Sequence, residues 1–187
     1  FSGGHALTLA ARIPGLAAAV AQCPMMDGLA AVRGIARYAG LGQLLRLTAH
    51  GLLDLCLAPF GRTHCIPTVG PPGSLAMMSS QDADAGYRAL APPGFRFEIA
   101  ARIALFAGLY RPLRHAAHAR CPVLVQICTL DSVAPAASAE EAVRRLGARG
   151  EVRRYAIGHF EPYFGANFDR SVADQLAFLG RHLRLVA

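Results

Sequence analysis

The sequence predicts an α/β protein: a parallel sheet covered by helices on both faces, interrupted by a long helical insertion. Three observations carry this. After Ala119 the chain alternates strand, helix, strand, helix at a spacing that implies right-handed crossovers between parallel strands. Near the start, residues 16–26 (LAAAVAQCPMM) form a continuous apolar run, as expected of a strand buried on both faces. Between them, residues 28–119 show helical periodicity and irregular connections without strand alternation.

Each element follows from its residues. The opening Phe1-Ser2-Gly3-Gly4 has the composition of a strand-to-helix turn, and Ala6 to Ile13, apolar almost all round, reads as an interior helix that ends before Pro14-Gly15. Within the insertion, helices are expected over 29–38, 41–57 and 97–110, with a turn-rich loop at Ile66 to Gly73 (IPTVGPPG). Residues 122–129 (PVLVQICT) are a β-rich run. Ala136 to Leu146 is a helix with Glu140 and Glu141 early and Arg144 and Arg145 late, the order that a helix dipole favours. Glu151 to Ile157 is a third strand and Arg170 to Leu185 a last amphipathic helix. The expected division is therefore a core of 1–27 with 120–187, and an insertion at 28–119.

Composition narrows the function classes. With 187 residues, 53% hydrophobic and 17% charged, the chain suits one folded, core-rich unit. The net charge of +7 is carried by arginine alone, scattered and interleaved with acids around Arg144 to Arg154, which argues against a nucleic-acid surface. The longest charge-free stretches are broken by prolines, so no membrane span is expected. Five cysteines, odd in number and without a C-x-x-C pair, signal neither a disulfide framework nor a zinc site, and fit a reducing, cytoplasmic compartment.

In open α/β sheets functional groups gather beyond the carboxyl ends of the strands. Asp131 lies there, in the turn TLDSVAP after the second strand, and His159 lies in GHFEPYF after the third. A carboxylate accepting from one imidazole nitrogen leaves the other to take a proton from a nucleophile.

With these turns, the strand order and an elbow-like start, the sequence resembles the α/β-hydrolase family over residues 1–27 and 119–187. The resemblance implies a nucleophile, an acid and a histidine in that chain order, the nucleophile on a G-x-S-x-G elbow. Asp131 to Pro135 resembles the family's acid turn, Gly158 to Phe160 its histidine turn, and the insertion occupies the place of its cap. It further implies that this chain supplies the last three strands of a larger sheet. The upstream part of the same protein, or a second chain, is expected to complete it.

The elbow leaves two candidates. Ser2 is followed by two glycines, but helix register favours the position immediately before Phe1: from there Ala10, Ala11 and Pro14 fall at the offsets the family's helix uses. Counting from Ser2 rotates the buried face by about 200°. Phe1 would then donate its backbone N–H to the oxyanion hole, with Ser2 as the fallback nucleophile. Asp27, also at a strand end, is the alternative acid. Glu161 could tune His159, although a solvent-facing loop role is the simpler reading. His5, and the pair His115 and His118, lack the partners that a base or metal site needs. Met25-Met26 and Met77-Met78 read as packing, the latter pair also suited to an apolar acyl pocket.

The expected activity is serine hydrolysis of a small-molecule ester, thioester or amide with an apolar acyl part, with no cofactor and no metal implied. The alternatives are another reaction on the same fold (C–C hydrolase, dehalogenase or acyltransferase) and a catalytically inactive binding or interaction protein. A homo-oligomer is among the assemblies allowed.

Overall fold

The computed structural model of the chain describes residues 1–183. Helix α1 (Ser2–Arg12) begins four residues before the expected Ala6, with Phe1 as its N-cap. A Cβ at Gly3 would lie 2.7 Å from the Pro24 Cβ and 2.8 Å from the Gln22 carbonyl oxygen, so only glycine lets α1 press this closely on the end of the next strand. That strand, β1 (Ala19–Gln22), is shorter than the expected 16–26. Pro24 brings no N–H to a ladder, and at Cys23 the backbone turns left-handed, with φ of 40°.

The two helices expected over 29–38 and 41–57 are the halves of α2 (Gly28–Leu57), broken at Gly40, whose φ of 81° a side chain would strain. The loop expected at Ile66 to Gly73 opens within β2 (Cys65–Pro67), and α3 (Ala83–Leu90) follows without having been anticipated. The helix expected over 97–110 is replaced by β3 (Glu98–Ala100), α4 (Ile103–Phe106) and a 3-10 turn at Ala107–Leu109. Pairing explains the change. β3 runs antiparallel to β2 with Ile99 opposite Ile66, and the alternating Phe95 and Phe97 meet Tyr87 at tilted and edge-on angles, their own ring centroids 5.1 Å apart.

Strand β4 (Val123–Cys128), helix α5 (Ala136–Leu146) and strand β5 (Gly150–Tyr155) follow nearly as expected. Helix α6 (Gly165–His182) starts five residues before Arg170; the expected end at Leu185 lies outside the described residues.

Two compact units result. One comprises Phe1–Asp27 with the residues from Arg111 onward, the other Gly28–Tyr110. The first holds a parallel sheet of order β1-β4-β5. All six residues of β4 are buried, which is why its sequence lacks polar alternation. Val123, Val125 and Ile127 face a cluster that includes Leu7 and Ala10 of α1 and Ala139, Ala142 and Leu146 of α5. On the opposite face Gln126, fully buried, donates to the Tyr155 hydroxyl at 2.7 Å and the Ser171 carbonyl of α6 at 2.8 Å. The second unit packs Leu47, Ile66 and Ala101 together and is pinned by Asp54. This buried carboxylate accepts from the amides of His64 and Arg102 and from both Nε and Nη2 of the Arg102 guanidinium, all within 2.9 Å.

Candidate active site

Beyond the regular ends of β4 and β5 the pairing continues for two residues. The Thr129 amide donates to the Tyr155 carbonyl at 2.8 Å and the Leu130 amide to the Ile157 carbonyl at 3.2 Å. The two chains therefore leave the sheet side by side, and their next polar residues meet. His159 Nδ1 lies 2.6 Å from Asp131 Oδ2. The other Asp131 oxygen, Oδ1, accepts from the amides of Val133 at 2.8 Å and Ala134 at 2.6 Å, so the D-x-V-x-P turn wraps its own carboxylate. The Asp131 side chain is 2% exposed and that of His159 19% exposed. This is the arrangement of an oriented base: a desolvated acceptor on Nδ1, and a partly accessible ring whose Nε2 is left for proton exchange. The Phe160 ring meets the imidazole edge-on at 4.9 Å, and Glu161 accepts the Gly158 amide, closing the turn around His159.

The start of the chain lies in the same unit. Phe1 caps α1, its carbonyl accepting from the amides of Gly4 and His5. Ser2 is the exposed first residue of α1, and its hydroxyl makes no hydrogen bond to His159 among the described residues.

The remaining candidates lie apart from this pairing. Asp27, nearly buried, takes both Nε and Nη2 of Arg111 on the one oxygen Oδ2, at 3.0 and 2.7 Å, an ion pair between the two segments of the first unit. His5 is exposed on α1, while His115 and His118 sit in the 3-10 turn Pro112–His118. Among the described residues no group of three or more His, Cys, Asp or Glu is arranged to hold a metal ion. No helix among them is long and apolar enough to cross a membrane.

A further pair of residues adjoins the site. The Cys23 and Cys128 sulfurs lie 3.0 Å apart, both buried, at the ends of neighbouring strands beside Asp131. Tyr163 stands near them, its phenol pushed up to about 12 by burial and by the adjacent thiols and Asp131. The only signal was that each cysteine closes a strand; which strands adjoin is a matter of topology.

No protein-family model matches the chain. It is 36% identical over 184 residues to the quorum-quenching protein AidA of Acinetobacter baumannii (strain MDR-ZJ06), a match that takes in 97% of this chain and 59% of AidA. Among solved structures it is similar to the α/β hydrolase GrgF from Penicillium sp. sh18, with a TM-score of 0.70 and 20% identity over 96% of this chain and 60% of GrgF. It is likewise similar to DcsB, solved with its substrate analogue, with a TM-score of 0.72 and 17% identity over 97% of this chain and 62% of DcsB. The chain thus spans about three fifths of the length of each of these proteins.

Proposed function

We propose that this chain, which has the α/β-hydrolase fold, carries the acid and base of a serine hydrolase that cleaves an ester, thioester or amide with an apolar acyl part. The 2.6 Å contact between His159 Nδ1 and Asp131 Oδ2 is the observation that carries the reading. In it, His159 Nε2 takes the proton of the attacking serine and returns it to the leaving group, while Asp131 fixes the tautomer and stabilises the imidazolium. The acyl group passes through a covalent acyl-enzyme. The nucleophile is one of two residues: the one bonded to the Phe1 nitrogen in a chain that continues upstream, or Ser2. Helix register favours the first: counted from the position before Phe1, Ala10, Ala11 and Pro14 fall at the offsets the family's helix uses. The Phe1 amide then serves the oxyanion hole.

The sheet is proposed to continue past β1, with strands from the same protein or a second chain, and the insertion to correspond to the family's cap. The likeness to the quorum-quenching protein AidA makes quorum quenching a candidate biological role. The test is His159→Ala in the full-length protein with p-nitrophenyl esters. Loss of hydrolysis with an unchanged melting temperature is the expected result. Full activity in the folded variant would sink the assignment.

A further inference from the structure

The geometry points to a modification site outside the proposed catalytic chemistry: Cys23 and Cys128 form a reversible intramolecular disulfide when the protein meets hydrogen peroxide. Along β1 the side chains alternate, and Val20 and Gln22 share the face of Leu124 and Gln126. By that alternation Cys23 should point to the opposite face, away from Cys128. Its left-handed φ of 40° breaks the pattern, and its sulfur joins Cys128 and Tyr155 on the second face. Left-handed backbone is uncommon for a residue with a side chain, so the neighbourhood holds a specific arrangement here.

That arrangement suits bond formation. The sulfurs, 3.0 Å apart, need approach by only about 1 Å to reach a disulfide length. Cys128 belongs to the fully buried β4 and Cys23 is held by its amide, which donates to the Gln126 carbonyl at 2.9 Å. Cys121 is also buried, while Cys56 and Cys65 are exposed in the other unit.

A tight crevice lined by Cys23, Pro24, Cys128, Asp131 and Ala134 among others borders the pair. Both sulfurs are buried, so a peroxide reaches them through local opening of the strand ends, and a tripeptide disulfide needs a larger opening than a peroxide does. One sulfur attacks a peroxide oxygen and the O–O bond breaks, giving a sulfenic acid and one water. The second sulfur displaces the sulfenic oxygen as a second water, and the S–S bond forms. Two electrons pass from the thiols to the peroxide, and both thiol protons leave in the waters. The hydrogen bond to Cys128, burial and the nearby Asp131 charge all keep Cys23 protonated, so the reaction is slow and quickens with rising pH.

The test uses the full-length protein with Cys56→Ser and Cys65→Ser, oxidised by hydrogen peroxide while folded, then unfolded, alkylated and peptide-mapped. The expected result is the loss of two alkylatable thiols, a linked peptide joining Cys23 to Cys128, and recovery of both thiols with dithiothreitol. Oxidised glutathione should leave both thiols alkylatable over the same period. With Cys128→Ala the linked peptide should disappear. The proposal is overturned if both thiols persist through peroxide treatment, if each is oxidised singly without a link, if the link appears only in unfolded protein, or if Cys23 pairs with Cys121.

Discussion

Replacement of Asp131 by Asn separates orientation of the base from integrity of the fold. The two Asp131 oxygens have different tasks: Oδ1 holds the amides of Val133 and Ala134, and Oδ2 faces His159 Nδ1 at 2.6 Å. In Asp131→Asn the amide oxygen keeps the two backbone donors, because reversing the side chain would aim an NH2 at two N–H groups. The nitrogen then faces Nδ1 as a donor, so the imidazole must accept there and carry its proton on Nε2. A base protonated on the nitrogen that faces the nucleophile cannot take the serine proton. The expected loss in kcat/KM for a p-nitrophenyl ester is on the order of ten-thousand-fold, about 5 kcal/mol of transition-state stabilisation, with the melting temperature nearly unchanged. Asp131→Ala, by contrast, leaves two backbone donors without their acceptor, at about 1–3 kcal/mol each, and should lose stability as well as activity. Hydrolysis by a folded Asp131→Asn protein within tenfold of the wild type would refute this account of the dyad.

Two further outcomes follow from packing and charge. Gly3→Ala places a methyl group 2.7–2.9 Å from Pro24 and the Gln22 carbonyl, so α1 must shift; urea denaturation should show a loss of about 1–3 kcal/mol, and ester hydrolysis should fall with it. The Arg102 guanidinium, its hydrogen bonds to Asp54 outweighing desolvation, holds that carboxyl far below its ordinary value of 3.8. Because the folded-state value is depressed, this stabilisation is fully present above the unfolded-state value and is lost as pH falls toward the folded one. Wild-type stability measured by urea should therefore fall more steeply below about pH 4 than that of Asp54→Asn, which is weaker at neutral pH and has no such carboxylate to protonate. Parallel pH profiles of the two proteins would contradict that role.

What could be read from the sequence was what local pattern dictates. Residues 136–146 became α5 without a shift, because an apolar stripe, early acids and late arginines agree along one helix. Asp131 and His159 could be paired on paper because both follow β-rich runs separated by a single helix, and parallel connectivity makes such strands neighbours. The insertion was harder to read. β2 and β3 are three residues each and are stabilised by one another across thirty residues of intervening chain, so neither carries a periodic signal of its own. Asp54 and Arg102 appear in the sequence as ordinary charges, and only the fold buries the first against the second. The Cys23–Cys128 contact depends on a left-handed residue that no local pattern announces.

The central claim, a serine that attacks the acyl carbon and is acylated under the control of His159 and Asp131, is tested most directly by treating the full-length protein with a fluorophosphonate and locating the adduct by peptide mass mapping. The account predicts one stoichiometric adduct, on the residue bonded to the Phe1 nitrogen or on Ser2, formed with loss of fluoride and abolished by His159→Ala. A folded full-length protein that takes up no label, or one whose label is indifferent to His159→Ala, would contradict it.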